Sequence, residues 1–501
     1  MTDSQTPRAG GAAEPSRTTR PTRSAGSASP AASAGPSKGT VAALTAALLA
    51  ACVAFQLNAS MLSPALVTMA RQLNTDESTI GLSQTLFFTL AALFSLFLPR
   101  LSDIYGRRRV LMGMMATMLV GSVVAALAVN VGMLFAGRII QGVTGPVVPI
   151  CLLMLRHEIS DPRRYGAAMG LITAVNGGIA GVDALLGGWL ATHFGFRSLF
   201  WVIAGVTVVA LAMLAKWGVE SRPSRGTRMD WFGVIPLVVS VASILTAFNE
   251  AGKLAEASWP VVIGGVVVAF AAFGVFLAVE SRIREPLIQP RLLARRATWA
   301  LLLTTLLTMT GVFAAVNGLV MSLAQNPDAG FGLEADFASL IFLTPYALVG
   351  WIVGPFSGRL APVLGYRRML QIGLVGTIVA SGLMGLVGVR SLPVLIAVTV
   401  LIGITYAGMG NIMLNGLGIV LSPASNPGFL PGLNAGAFNL GSGLSFALLP
   451  GLQVALTAST GSALTGYSGG ILLGTVLTIL AFGVSFLIPR PTQAEVNAAS
   501  A

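Results

Sequence analysis

The chain has 501 residues, 54% of them hydrophobic and only 10% charged, with a formal net charge of +12. Soluble domains carry about a quarter charged residues, so this composition excludes an ordinary globular enzyme and implies a polytopic membrane protein. The basic residues sit in short clusters between apolar runs, as membrane loops do, so no nucleic-acid partner is expected.

Residues 1–39 are rich in Ser, Ala, Pro, Gly and Arg and lack the apolar core of a cleavable signal peptide. They read as a disordered basic tail. Apolar runs of about 20 residues then recur, each long enough for a membrane-spanning helix. Breaks at charged residues, Pro, Gly and Asn place fourteen helices, at 41–62, 79–98, 110–129, 131–155, 166–192, 197–217, 231–249, 259–280, 299–322, 336–358, 369–389, 392–420, 431–457 and 468–488. Lipid offers the backbone no partners, and these runs are too long and too evenly apolar for barrel strands. The expected fold class is therefore an all-α polytopic membrane protein with 14 transmembrane helices.

Lys and Arg fix the expected orientation. With the N-terminus in the cytoplasm, the cytoplasmic loops and tails hold every basic residue except Arg71, Arg197, Lys253 and Arg390 on the other face and Arg138 inside a span. Such asymmetry is the positive-inside pattern, and it puts both termini in the cytoplasm.

Enzyme chemistry finds no footing. Cys52 and Cys151 fall in apolar runs, the two histidines are His157 and His193, and no hydrolase, zinc-protease, nucleotide-loop or dinucleotide motif occurs. No cofactor or metal is expected. What stands out is Asp183, an acid well within the fifth apolar run, and Arg138, the one base within the fourth. At 1.5 Å per residue Arg138 lies roughly 10 Å and Asp183 roughly 13 Å inside the same ends of neighbouring antiparallel helices. Charges at such depth face a bundle interior, pair with one another and mark ion or proton pathways. An Asp183–Arg138 pair is therefore expected, either as a proton-coupling site or as a static packing pair. Polar residues in other spans outline a candidate substrate cavity. They are Gln56, Asn58, Gln84, Gln141, Asn176, Asn317, Asn411, Asn415, Asn434 and Asn439, with Tyr346, Trp351 and Tyr406 as aromatic lining.

The stretch LPRLSDIYGRRRVL (98–111) joins the second and third helices. Its Leu101, Asp103, Gly106, Arg107 and Arg108 resemble the loop pattern G-x-L-a-D-r-x-G-r-k-x-x-l of the major facilitator superfamily. A weaker copy, GRLAPVLGYRRML (358–370), with Gly358, Gly365 and Arg367, follows the tenth helix, as a duplicated half-transporter would give. GRIIQGVTG (137–145) resembles the superfamily's R-x-x-Q-G element through Arg138, Gln141 and Gly142. RMDWFG (228–233), VESRIREPLIQPRLLARRATW (279–299) and NPGFLPGLNAGAFNLGSGLSFAL (426–448) resemble the fourteen-span drug:proton antiporter branch. Departures accompany the likeness. Asn58 stands where that branch carries an Asp, Asp183 and Ala184 replace its Gly-Pro, Pro99 replaces the first loop's leading glycine, and Pro362 replaces the second loop's Asp.

The resemblance implies a major facilitator fold of two six-helix bundles with two inserted helices. The N-terminal bundle would occupy 40–217, the inserted pair and its loops 218–298, the C-terminal bundle 299–490, and a cytoplasmic tail 491–501. It also implies a proton-coupled secondary transporter, probing a small-molecule substrate from each side in turn, in a bacterial cytoplasmic membrane and monomeric. The proton gradient is the expected driving force, and the two glycine-arginine loops are the expected conformational switches. Export of an amphipathic or cationic compound, in the manner of multidrug efflux, is the main expectation. The rearranged acids motivate the alternative, a proton symporter or a dedicated exporter of one endogenous metabolite or lipid. A non-transporting membrane sensor is the remote third.

Overall fold

Apolar runs without backbone partners in lipid close their hydrogen bonds internally, and helices follow. The computed structural model describes residues 38–159, 162–221, 229, 231–251, 257–283, 290–423 and 429–491. The tails expected at 1–39 and 491–501 lie outside these residues, apart from residues 38, 39 and 491. Thirteen helical stretches among the described residues are long and apolar enough to cross a membrane. A further helix of 33 residues, Pro162–Phe194, completes the expected fourteen.

The first six are α1 (Val41–Gln72), α2 (Glu77–Tyr105), α3 (Arg107–Ala126), α4 (Val131–Arg156), α5 (Pro162–Phe194) and α6 (Phe196–Trp217). The pair α7 (Trp231–Phe248) and α8 (Trp259–Glu280) follows. The last six are α9 (Arg296–Gln325), α10 (Ala335–Leu364), α11 (Tyr366–Arg390), α12 (Leu392–Val420), α13 (Phe429–Thr460) and α14 (Ala463–Ser485). Every expected span has its helix, with ends shifted by up to ten residues, the largest shift being at the end of α1.

Packing sorts them as the repeat implies. In the first set α6 packs on α1 and α3, and α4 packs on α3; in the last, α14 packs on α9, α11 and α13. The two sets meet chiefly along α2–α13 and α5–α10. Helices α7 and α8 pack mainly on each other, joined by Ser240 Oγ donating to the Ala269 carbonyl at 2.8 Å, and α7 also touches α2 and α13. This is an all-α fold of two six-helix bundles with an inserted pair.

Several spans are less regular than their hydropathy suggests. A turn of 3-10 helix at Ser63–Ala65, with Pro64 at its start, lets α1 continue to Gln72. Another at Gly142–Thr144 interrupts α4. Wider π-helical turns occupy Ala315–Val320 of α9, Ser339–Leu343 of α10 and Gly403–Gly410 of α12. Such turns concentrate at functional sites.

The two glycine-arginine loops have one geometry. Gly106 and Gly365 each cap the next helix with φ at +102° and +92°, ψ near 130° in both, a region open only to glycine. Arg108 and Arg367, each two residues beyond its glycine, then donate to carbonyls in the last turn of α6 and just past the end of α14, the last helices of their own bundles. Arg108 reaches Leu214 at 3.2 Å and Ala215, and Arg367 reaches Ile488 at 3.0 Å. A cation on the exposed carbonyls of a helix C-terminus complements its dipole. The first copy has more ties. Asp103 pairs with Arg107 at 2.9 Å, Arg107 donates to the Leu153 carbonyl, and the Arg107 and Arg108 amides donate to Ser221 Oγ and Glu220. Gly358 in the second copy is exposed, with open space where a Cβ would stand.

Candidate functional site

The core of the first bundle is built around Arg138. Glycines in GRIIQGVTG bring α4 against its neighbours: a Cβ on Gly145 would stand 2.0 Å from the Ala91 carbonyl oxygen of α2. At that separation short amide side chains span the gap. Helical spacing puts Gln141 beside Arg138 and Phe87 beside Gln84, three residues apart in each case. The Arg138 guanidinium, with no accessible surface, donates to Asn58 Oδ1 at 2.6 Å, to Gln141 Oε1 at 2.8 Å and to Gln84 Oε1, and its carbon lies 4.2 Å from the Phe87 ring centroid. Gln141 in turn donates through Nε2 to Ser122 Oγ of α3 at 2.9 Å. Four helices are tied to one cation. Burying it is offset by charge-assisted hydrogen bonds, of order 1.5–3 kcal/mol each.

Asp183 sits apart from it. Its carboxylate, 1% exposed, accepts from Ser60 Oγ of α1 and from the Ala184 amide at 2.8 Å. Ser60 Oγ also lies 2.9 Å from the Gln56 carbonyl and accepts from Gln56 Nε2 at 3.0 Å. No ion pair joins Arg138 and Asp183. The expected pairing is corrected: Arg138 donates through Nη1 and Nη2 to neutral amide oxygens, and Asp183 turns to a serine. Asn58 and Ser60, two residues apart on α1, carry the two groups separately. Equal depth brought the charges to one level without bringing them into contact.

Gly187, one turn past Asp183, lets α5 lie on α1, since a Cβ there would stand 2.1 Å from the Met61 carbonyl oxygen. On the other side of α5, Thr344 Oγ1 of α10 reaches the Gly181 carbonyl at 3.3 Å, and the Asp336 amide reaches Thr192 Oγ1 at 3.4 Å. Asp183 is thus carried by the helix that joins the bundles. Among the described residues it is the only acid far from a helix end.

The remaining cavity candidates divide. Asn439 is buried and donates to Ser95 Oγ at 3.4 Å, linking α13 to α2. Asn434 accepts from Thr305 at 2.6 Å and Asn415 donates to Asn411 Oδ1 at 3.2 Å, both within the second bundle. Asn317 and Tyr406 fall in the π-helical turns of α9 and α12. Asn317 donates to the Phe313 carbonyl at 3.0 Å, and the Tyr406 hydroxyl lies 2.7 Å from Met309 Sδ. Tyr346 is half-buried. Trp351 is corrected: at 52% exposed it points outward, as an aromatic on a lipid-facing stripe does. The Asn176 side chain lies outside the described residues.

Two groupings escape a reading of polar residues in isolation. Phe88 meets Phe313 and Phe446 at centroid distances of 5.2 and 6.4 Å, an aromatic cluster where the bundles touch. Glu77, at the start of α2, accepts from Ser322 Oγ of α9, which shares a hydrogen bond of 2.7 Å with the Tyr467 hydroxyl of α14. Glu77 stands at a helix start, where an acid is ordinary, so its sequence context carried no signal.

Two six-helix bundles related by a repeated loop and joined along two helix pairs, with a buried cation and a buried acid inside the first of them, define a membrane transporter. The family model of the Major Facilitator Superfamily matches residues 48–446, and the chain belongs to that family. It is 50% identical over 466 residues to a uridine/deoxyuridine transporter of Lactococcus lactis, covering 92% of this chain and 97% of that one. With the multidrug resistance protein Stp of Mycobacterium tuberculosis it shares 26% identity over 371 residues, 72% of this chain and 66% of the other. A solved transporter of the POT family, bound to 5-aminolevulinic acid, superposes with a TM-score of 0.64 at 16% identity, over 89% of this chain and 96% of that one, and shares the fold. The expectation of multidrug-type antiport and drug efflux is overturned. A nucleoside transporter matches nearly the whole chain at about twice the identity of the drug transporter. The alternative, a proton symporter or a dedicated exporter of one endogenous metabolite or lipid, stands better.

Proposed function

We propose that this chain carries pyrimidine nucleosides of the uridine and deoxyuridine type across the membrane by alternating access, taking them up in symport with protons. The observation that carries the reading is the 50% identity to a uridine/deoxyuridine transporter along 92% of the chain. The geometry supports it in three ways. The aromatic cluster of Phe88, Phe313 and Phe446 offers flat faces at the seam between the bundles, suited to a planar base. The neutral amides around Arg138 suit an uncharged polar substrate. Asp183, held by a serine and free of any ion pair, is a carboxyl that can take and release a proton without breaking one. The basic loops lie in the cytoplasm in this reading.

The test is uptake of labelled uridine by proteoliposomes, with and without a pH gradient acid on the outside. Accumulation above the equilibrium level only with the gradient is expected. Equilibration unaffected by the gradient removes the proton coupling, and no movement of uridine in either direction removes the nucleoside reading.

A further inference from the structure

Arginine offers donors only. Any amide packed against the Arg138 guanidinium must therefore turn its oxygen inward, as Asn58, Gln84 and Gln141 all do. The orientation of each amide is set by that demand, and each NH2 group is left facing away. Gln141 uses its own on Ser122. Asn58 Nδ2 and Gln84 Nε2 have no acceptor, nor has Arg138 Nε, and all three residues are fully buried. Buried polar atoms in native proteins are nearly always paired, so orphans grouped in one place call for a missing partner. Here every orphan is a donor. The partner they lack is an acceptor.

Resting on the nucleoside reading, we propose that Asn58 Nδ2 and Gln84 Nε2 donate to the carbonyl oxygens of a pyrimidine-2,4-dione base, and that these residues make the carrier prefer uracil to cytosine. The two bases differ at one edge. Uracil presents a 4-carbonyl acceptor where cytosine presents a 4-amino donor. A site of donors satisfies the first and leaves buried donors facing donors with the second, the situation in which hydrogen-bonding sites discriminate strongly. Phe87, which lies under the guanidinium, and Phe88, which reaches across to Phe313, follow Gln84 by three and four residues on α2. One helix thus supplies both the polar edge and the apolar face that a base needs.

The test swaps the polarity of one amide. Gln84→Glu keeps an oxygen for Arg138 and replaces the orphan donor with an acceptor, its charge opposed by the guanidinium beside it. Gln84→Met removes the amide at similar volume. Uridine and cytidine uptake are measured side by side in proteoliposomes of the full chain, and thermal stabilisation by each nucleoside is read on the purified protein. The parent is expected to favour uridine by at least about tenfold. Gln84→Glu is expected to abolish or invert that ratio, and Gln84→Met to reduce it about tenfold. A variant stabilised by cytidine but no longer by uridine has folded and lost the donor, which supports the proposal. An unchanged ratio in both variants, or a parent indifferent to the base, overturns it while nucleoside transport stands; the orphan donors then serve water. A parent that moves neither nucleoside overturns both readings.

Discussion

The Ser60 hydroxyl stands between Asp183 and the Gln56 carbonyl, within hydrogen-bond reach of both, and it has one proton to give. With Asp183 ionised, Ser60 must donate to the carboxylate and forgo the carbonyl. With Asp183 protonated, the carboxyl donates to Ser60, which then donates to Gln56. The serine therefore registers the protonation state of α5 in the backbone of α1, and a proton bound in one helix alters its tie to the other. Asp183→Asn is expected to abolish accumulation driven by a pH gradient while leaving uridine exchange across the same membrane. Ser60→Ala removes a hydrogen bond to the charged form and is expected to reduce driven accumulation roughly tenfold. Driven uptake and exchange measured on the same liposomes separate the two outcomes. Equal loss of both activities in Asp183→Asn would make the aspartate a packing residue.

The Glu77–Ser322–Tyr467 chain ties α2 of the first bundle to α9 and α14 of the second, on the face opposite the basic loops. Close by, Gln325 Nε2 donates to the Pro64 carbonyl at 3.0 Å, a second tie between the bundles. Alternating access requires such ties to break when that face opens. Ser322→Ala weakens the closed form by about 1 kcal/mol, the usual net worth of one hydrogen bond, which raises the open fraction about fivefold. Thiol labelling of an engineered Ala347→Cys, where α10 faces Gly181 of α5, reads that fraction. Native Cys52 and Cys151 are buried, so background labelling is low. Faster labelling in Ser322→Ala is the expected result, and an unchanged rate would make the contact incidental to opening.

The fold was legible because lipid imposes it. Every apolar run is a helix, and the paired loops alone imply the repeat. Residue partners were less legible, for a physical reason. Helical rise converts sequence position into depth, so Arg138 and Asp183 were placed at one level. Rotation about the helix axes decides contact, and that is set by glycines such as Gly145 and Gly187 at neighbouring backbones. The amides around Arg138 were visible as polar residues in apolar spans; that they converge on one guanidinium was not. Trp351 shows the limit from the other side, since an aromatic in a span suits lipid as well as a cavity. Substrate class lay deeper still. The antiporter-like stretches report the shared scaffold, and the departures at Asn58 and Asp183 bear on the direction of transport more than on the fold.

Asp76 makes the turn into α2 sensitive to acid. Asn74 takes a positive φ of 51°, which asparagine tolerates, and Asp76 then caps α2. Partial burial alone would raise its pKa. Hydrogen bonds from the Ser78 and Thr79 hydroxyls and the Thr79 amide outweigh that and hold it down at about 2, against an ordinary 3.8. A depressed carboxyl stabilises the fold in full above its unfolded value, and the contribution fades as pH falls from near 4 toward 2. Asp76→Ala is expected to cost about 1 kcal/mol at neutral pH through loss of the cap. Melting curves of parent and variant should converge below about pH 4. A gap that stays constant through acid would assign the cap to the residue's shape and not to its charge.

The paired loops permit a comparison within one molecule, because Gly106 and Gly365 share a backbone conformation but not surroundings. A Cβ on Gly106 would stand 2.4 Å from Glu220 Oε1, whereas one on Gly365 meets nothing within 4 Å. Backbone strain is therefore common to both substitutions and should cost about 1–3 kcal/mol in each. Gly106→Ala must in addition displace Glu220, which accepts from the Arg108 amide at 3.2 Å and faces Arg109 at 3.6 Å. The expected order of thermal stability is parent, then Gly365→Ala, then Gly106→Ala. Removing the carboxylate by Glu220→Gln should leave Gly365→Ala unaffected and, because a neutral side chain yields its place more readily, narrow the deficit of Gly106→Ala. Equal deficits in the two alanine variants would mean that Glu220 moves aside freely, and that strain at the glycine turn is the whole of the effect.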